Sequence, residues 1–382
     1  MKSAPLWALG FRPFYLLASA FAALSIPLWA LQYSGALGRS VLAGPVWHAH
    51  EMLFGFALAV VVGFLLTAGR AWSMQPTPTG PALAALALLW VVARVLVLTP
   101  FGYASAIANT AFPLAAAVAL AIPFASAPNR RNHFFVVVLV LMAAASLTVH
   151  LTQLQVITLP GGLGIQVGLD LLLFVMAVMA GRVVPMFTNN GVPGAGATSR
   201  PGLDRLALGS VLALLVADTL QIDGPAMAAF LALAAAVHLG RWLLWRPWKT
   251  LGTPIVWVLH IAYLWIPVHL ALRAGAAMGW VAPSIAVHAL TVGAAGVLII
   301  GMMTRTAKGH TGRRLVADGV DVACYGLVLG AALVRVGVPL VAPGATLTAV
   351  LASAALWSAG FALYAVRYWP ALTRPRLDGK PG

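Results

Sequence analysis

The apolar positions along this chain come in long, nearly unbroken runs, not in the alternating or three-to-four spacing of a soluble half-buried element. A helix needs about 20 apolar residues to cross the hydrocarbon core of a bilayer. Twelve runs have that length, at roughly 12–33, 46–67, 81–99, 102–124, 134–156, 166–188, 203–221, 225–244, 253–273, 283–304, 316–337 and 345–367. Turn residues separate them, as in Pro76-Thr77-Pro78-Thr79-Gly80-Pro81, Pro160-Gly161-Gly162 and Gly191-Val192-Pro193-Gly194. The shortest break, at Pro100 and Gly102, divides the third run from the fourth. The pattern predicts an all-α, polytopic membrane bundle of about twelve transmembrane helices. No loop is long enough to fold alone, so the whole of 1–382 reads as a single transmembrane domain.

Composition agrees. Hydrophobic residues make up 62% of the chain and charged residues 8%, against roughly 25% charged in a soluble domain. The formal charge is +15, but the basic residues sit in short loops between apolar runs. That placement is explained by membrane topology, and it argues against a nucleic-acid partner. In the twelve-helix reading, nineteen of the 23 Lys and Arg residues fall on the face shared by both termini, and Arg39, Arg94, Arg273 and Arg335 fall on the other. The positive-inside rule then places both termini in the cytoplasm. Lys2 precedes a run containing Arg12, Pro13 and Pro27, which predicts a first membrane helix that stays and not a cleaved signal. The single cysteine, Cys324, lies inside an apolar run and reads as a small packed hydrophobe.

The histidines change the picture further. There are nine. His133 and His310 fall in cytoplasmic loops and His238 near a cytoplasmic helix end, and these three read as interfacial polar residues. The other six lie inside the spans. At 1.5 Å rise per residue, His48 and His50 sit in the first turns of helix two at the outer face, His150 and His269 roughly 6 Å in, and His288 roughly 8 Å in. His260 is deeper, roughly 20 Å from that face. Five membrane histidines therefore share one outer layer with Glu51. Intramembrane ionisable residues are rare and point to function, although a single one can be a helix–helix hydrogen bond. Imidazoles gathered from several helices suit iron or copper.

Spacing constrains the assignment. Residues i and i+2 on a helix point about 200° apart, so His48 and His50 would serve two centres on opposite sides of helix two. A helix beginning after His50 would let them share one. His260 and His269 face opposite ways and differ by about 13 Å in height, so they do not bind one ion. His50 is followed by Gly55 and Gly63 at the same offsets as His288 by Gly293 and Gly301. Glycine there permits close approach of a helix or a flat macrocycle, and chance spacing also explains it. Tyr263, three residues after His260, is either a hydrogen-bonded bundle residue or a proton or electron donor beside a metal. Asp170, Asp218 and Asp321 also fall within spans, without assigned chemistry. The chain has no Cys-x-x-Cys-His, no Walker-type phosphate loop, no Gly-x-Ser-x-Gly elbow and no His-Glu-x-x-His motif.

Several blocks resemble a known family. Gly10-Phe11-Arg12-Pro13-Phe14 and Trp47-His48-Ala49-His50-Glu51-Met52-Leu53-Phe54-Gly55-Phe56 are similar to the opening motifs of the NnrS family. Gly181-Arg182-Val183-Val184-Pro185-Met186-Phe187-Thr188-Asn189-Asn190, Trp257-Val258-Leu259-His260-Ile261-Ala262-Tyr263, and His288 through Arg305 to Gly309-His310-Thr311-Gly312-Arg313 resemble its later ones. The blocks run in family order across about 300 residues. The resemblance implies a multi-pass protein of the bacterial cytoplasmic (inner) membrane, holding haem b (one or two) and copper, and connected with the nitric oxide response.

These readings combine into an expectation. The protein binds nitric oxide, and reduces or detoxifies it, at a metal site near the periplasmic face. His48, His50, His260 and His288 are the first-choice haem or metal ligands, His150 and His269 the remaining copper candidates, and Tyr263 the candidate catalytic residue. Arg39, Arg94 and Arg273 lie where haem propionates would be paired; contact with lipid headgroups is the simpler role for each. Haem–copper oxidases and nitric oxide reductases offer an architectural analogy only. The alternatives are a transporter of haem, metal or a small solute, and a haem-based sensor or assembly factor.

Overall fold

A computed structural model describes residues 4–36, 44–127 and 130–380. Twelve long helices lie among them: α1 Phe11–Tyr33, α2 Gly44–Ser73, α3 Gly80–Leu96, α4 Gly102–Ala125, α5 Phe134–Gln153, α6 Leu163–Gly191, α7 Pro201–Thr219, α8 Pro225–Leu244, α9 Pro254–Ala277, α10 Pro283–His310, α11 Gly319–Val341 and α12 Thr346–Thr373. No strand occurs among the described residues. Proline opens α3, α7, α8, α9 and α10, where its missing N–H has no intrahelical partner to lose.

Ten of these helical stretches are long and apolar enough to cross a membrane. The other two have local reasons to differ. α3 has 17 residues, about 26 Å of helix against a core of about 30 Å. α7 carries Asp204, Arg205 and Asp218 within 19 residues. The polytopic helical bundle expected from the hydrophobic pattern is the fold found.

The chain falls into two compact units. The first comprises Met1–Leu171, Thr306–Arg314 and Ala365–Gly382; the second comprises Leu172–Arg305 and Leu315–Tyr364.

In the first unit, α1 lies close against α2. A Cβ on Gly63 would stand 2.8 Å from the Phe14 Cβ, and one on Gly10 would stand 2.6 Å from the Leu66 Cβ. The Phe11 amide donates to Thr67 Oγ1 at 2.9 Å. Arg12 is fully buried and its guanidinium donates to the carbonyls of Leu372 at 3.0 Å and Arg374 at 2.9 Å. It thereby closes carbonyls that the end of α12 leaves without helical partners.

In the second unit, Trp265 of α9 stands against Gly293, where a Cβ would meet its ring at 2.4 Å, and Val258 stands against Gly301 at 2.9 Å. The glycines flagged for close approach thus admit side chains of neighbouring helices. At the start of α11, Asp318 Oδ1 accepts from the amides of Val320 and Asp321 at 3.1 Å each, and Asp321 Oδ2 accepts from the Asp318 amide at 3.0 Å. Asp321, read from sequence as interfacial, is fully buried as the return arm of this capping box.

The main departure from regular helix lies inside α2 and α10. Glu51–Ala57 and Ala289–Gly296 are π-helical. Each segment begins one residue after a histidine, His50 or His288. Wide i→i+5 turns of this kind are rare and often mark functional sites. In α2, the Gly55 carbonyl within the wide turn accepts from the Trp90 indole at 3.0 Å.

Candidate functional site

In the first unit a chain of polar side chains crosses four helices. His50 of α2 is buried, and its ring lies 4.8 Å from that of His150 on α5, edge to face. His50 Nδ1 bonds Glu51 Oε1 at 2.8 Å. The Arg94 guanidinium of α3 donates to Glu51 and to Asn109 Oδ1 of α4. Asn109 is anchored in turn by donating to the Ser105 carbonyl at 2.9 Å. His50 Nε2 lies 3.5 Å from Ser146 Oγ, and His150 Nε2 is buried with no hydrogen-bond partner among the described residues.

His48 faces elsewhere. Its ring stacks on Trp29 of α1, centroids 5.0 Å apart and planes 12° apart. Because α2 is already helical from Gly44, His48 and His50 present to different sides, and a site shared between them is disfavoured.

The second unit has two histidines of the same character as His50. His269 is buried, its Nδ1 bonds the Ala286 carbonyl at 2.7 Å, and its Nε2 has no partner among the described residues. His288, half-buried, has Nδ1 2.6 Å from the Ser284 carbonyl one turn back. A metal-ligating histidine usually donates one ring N–H to a carbonyl or carboxylate, which fixes the ring and leaves the other nitrogen to the metal. His50, His269 and His288 all have Nδ1 tied in this way.

His260 and Tyr263 are arranged differently. Thr188 Oγ1 donates to the Val184 carbonyl, so His260 Nε2 donates to Thr188 Oγ1 at 2.8 Å and its Nδ1 is left without a partner. The Tyr263 hydroxyl does not meet His260. It lies 2.7 Å from His238 Nδ1 and accepts from Arg241 at 3.2 Å. Arg241 also donates to Asp204 at 2.6 Å and to the Ala177 carbonyl at 2.8 Å. His238, expected at an interface, is fully buried at the centre of this network. His238 and Arg241 stand at i and i+3 on one face of α8, and Trp245 follows at i+7 just past its end. That spacing was the available signal.

Of the arginines considered for anionic groups, Arg94 is engaged by Glu51 and Asn109. Arg273 is paired with both carboxylate oxygens of Asp218, at 2.9 and 2.8 Å. Arg39 lies outside the described residues. Among the described residues, no group of three or more His, Cys, Asp or Glu side chains is gathered closely enough to hold a metal ion.

A set of long apolar helices, with ionisable side chains paired among them and a histidine preceding each π segment, defines a polytopic membrane protein with buried polar side chains in each unit. A family model described as NnrS protein matches residues 5–376. The chain belongs to the NnrS family. A search of curated proteins finds no match to it.

Proposed function

We propose that this protein is a metalloprotein of the bacterial inner membrane, with both termini cytoplasmic, which binds nitric oxide at metal held by its histidines; membership of the NnrS family supports a role in the nitric oxide response. The observation that carries this reading is the histidine at the head of each π segment, with Nδ1 tied to an acceptor.

The donor sets divide by chemistry. His50 and His150 touch edge to face at 4.8 Å, which leaves no room for a macrocycle between them. They fit a single small ion, and imidazole donors suit copper. The unpartnered His150 Nε2 supports this assignment. His269 and His288, each with Nδ1 anchored on a carbonyl, would hold the iron of haem b. Haem iron or copper would supply the open position at which nitric oxide binds.

This chain's own residues prepare those positions. Glu51 holds the His50 ring by accepting at Nδ1, and Arg94 neutralises Glu51 inside the bilayer. In the first unit His50, Glu51, Arg94 and His150 are all buried. Tyr263 does not touch these donor sets; its contacts with His238 and Arg241 make it part of the framework of the second unit.

The test is anaerobic titration of the reduced, detergent-purified full chain with nitric oxide, followed optically. A saturable shift of a haem Soret band is expected. Sustained consumption of nitric oxide would make the protein a reductase, and binding without consumption a sensor. Purified protein with neither a Soret band nor bound nitric oxide would overturn the reading.

A further inference from the structure

The two π segments share more than the histidine that precedes each of them. Five residues after that histidine stands a glycine, Gly55 after His50 and Gly293 after His288. Each glycine meets a tryptophan from another helix of its own unit. Trp90 of α3 donates its indole N–H to the Gly55 carbonyl at 3.0 Å. Trp265 of α9 lays its ring against Gly293, where a Cβ would overlap the indole. Trp265 also packs on the cluster of Ile285, Ala289 and Val336, and Ala289 is the first residue of that π segment.

The residue one turn beyond each tryptophan reaches the neighbouring polar groups. Trp90 is followed at i+4 by Arg94, whose guanidinium donates to Glu51. Trp265 is followed at i+4 by His269, whose Nδ1 bonds the Ala286 carbonyl just before the π segment. Positions i and i+4 share one face of a helix. In each unit, then, a single helix face meets both the wide turn and the polar side chains beside it.

The contact in the first unit is directional. Trp90 and Gly55 are both buried. An indole N–H is a donor only, and the Gly55 carbonyl is the acceptor it has. The Trp90 ring is itself fixed, edge to face with Phe21 of α1 at 5.5 Å and with the Arg94 guanidinium 5.9 Å from its centre. A Cβ on Gly55 would stand 2.7 Å from an Arg94 guanidinium nitrogen and 3.0 Å from the Phe21 ring, so glycine lets both helices come this near.

One extra residue in a turn rotates the helix faces on its two sides relative to each other by about 100°. The direction in which His50 points therefore depends on the wide turn that follows it being held. We propose that Trp90 is a positioning residue for His50: its indole N–H holds the π turn of α2 and so aims the imidazole. Trp265 does the same for His288 by packing on Gly293. The consequence for metal binding rests on the reading of these histidines as ligands; the position of the rings does not.

The test uses the purified full chain, freed of metal with a chelator and isotope-labelled at its histidine nitrogens. The His50 Nδ1–H resonance is assigned by its loss in H50Q. W90F keeps an aromatic ring and removes the donor. It should move the His50 resonance, and it should weaken Cu(I) binding in chelator competition roughly tenfold, the scale of losing an outer partner of a metal ligand. W72F alters an indole elsewhere on α2, stacked on Phe135 at 5.5 Å, and should leave both readings as in wild type. W265F is the independent variant, which keeps the proposal open to refutation where W90F does not fold; it should move the His288 Nδ1–H resonance. A folded W90F with wild-type His50 resonance and Cu(I) affinity, equal changes in W72F, or an unmoved His288 resonance in W265F would overturn the proposal. Wild-type protein that binds no Cu(I) would contradict the copper reading alone, and the His50 resonance would still decide the role of Trp90.

Discussion

Glu51 is where the chemistry of the first unit is decided at the scale of single residues. It accepts from His50 on one side and from Arg94 on the other, and is 1% exposed. Removing one partner of a buried ion pair leaves the other charged and uncompensated, at a cost of about 3–5 kcal/mol. E51A should therefore lower stability by about that amount in thermal unfolding, through the stranded Arg94. E51Q keeps an acceptor for the His50 ring and should be milder in both stability and copper content. Equal loss in the two variants would mean that the carboxylate charge, and not the acceptor, fixes the ring. His50 and Glu51 were legible in sequence because ionisable residues are expensive inside a bilayer and stand out against an apolar run. His238 and Arg241 were not, because they lie near a helix end, where a polar residue needs no explanation. Their roles depend on partners distant in sequence: Asp204 is 37 residues before Arg241, and Tyr263 is 25 residues after His238. Asp218 was similarly opaque, since its partner Arg273 is 55 residues away.

Among the elements, close helix approach and the π segments carry the account. Gly181 of α6 lies so near Arg241 of α8 that a Cβ would stand 1.8 Å from a guanidinium nitrogen. That nitrogen is the far end of a flexible side chain, but its carbon is 2.6 Å from the same point, and the group is tied to Asp204, Ala177 and Tyr263. G181A must displace the guanidinium from at least one of these. A loss of about 2–4 kcal/mol in thermal unfolding is expected, and an unchanged Tm would show that the network can shift without cost. Glycine in this block was visible in the sequence, but its purpose was not, because the group it admits arrives from another helix. The π segments were hidden for a related reason. The matched offsets His50–Gly55–Gly63 and His288–Gly293–Gly301 were legible, whereas hydrophobic periodicity does not register one extra residue in a turn whose faces are all apolar.

For the whole molecule, the long apolar runs fixed the helical bundle and its turns, since the bilayer permits few other ways to satisfy a buried backbone. The sequence pattern could not show that the chain forms two compact units, each with one histidine-headed π segment. That duplication is the basis for proposing two metal positions with different donors: His50 with His150, and His269 with His288. The most direct measurement is the copper and iron content of the purified full chain, alongside its optical spectrum, for wild type, H50A and H288A. The account predicts both metals in wild type, loss of copper with a retained Soret band in H50A, and loss of the Soret band with retained copper in H288A. Wild-type protein without copper and iron, or variants that keep both metals in full, would contradict it.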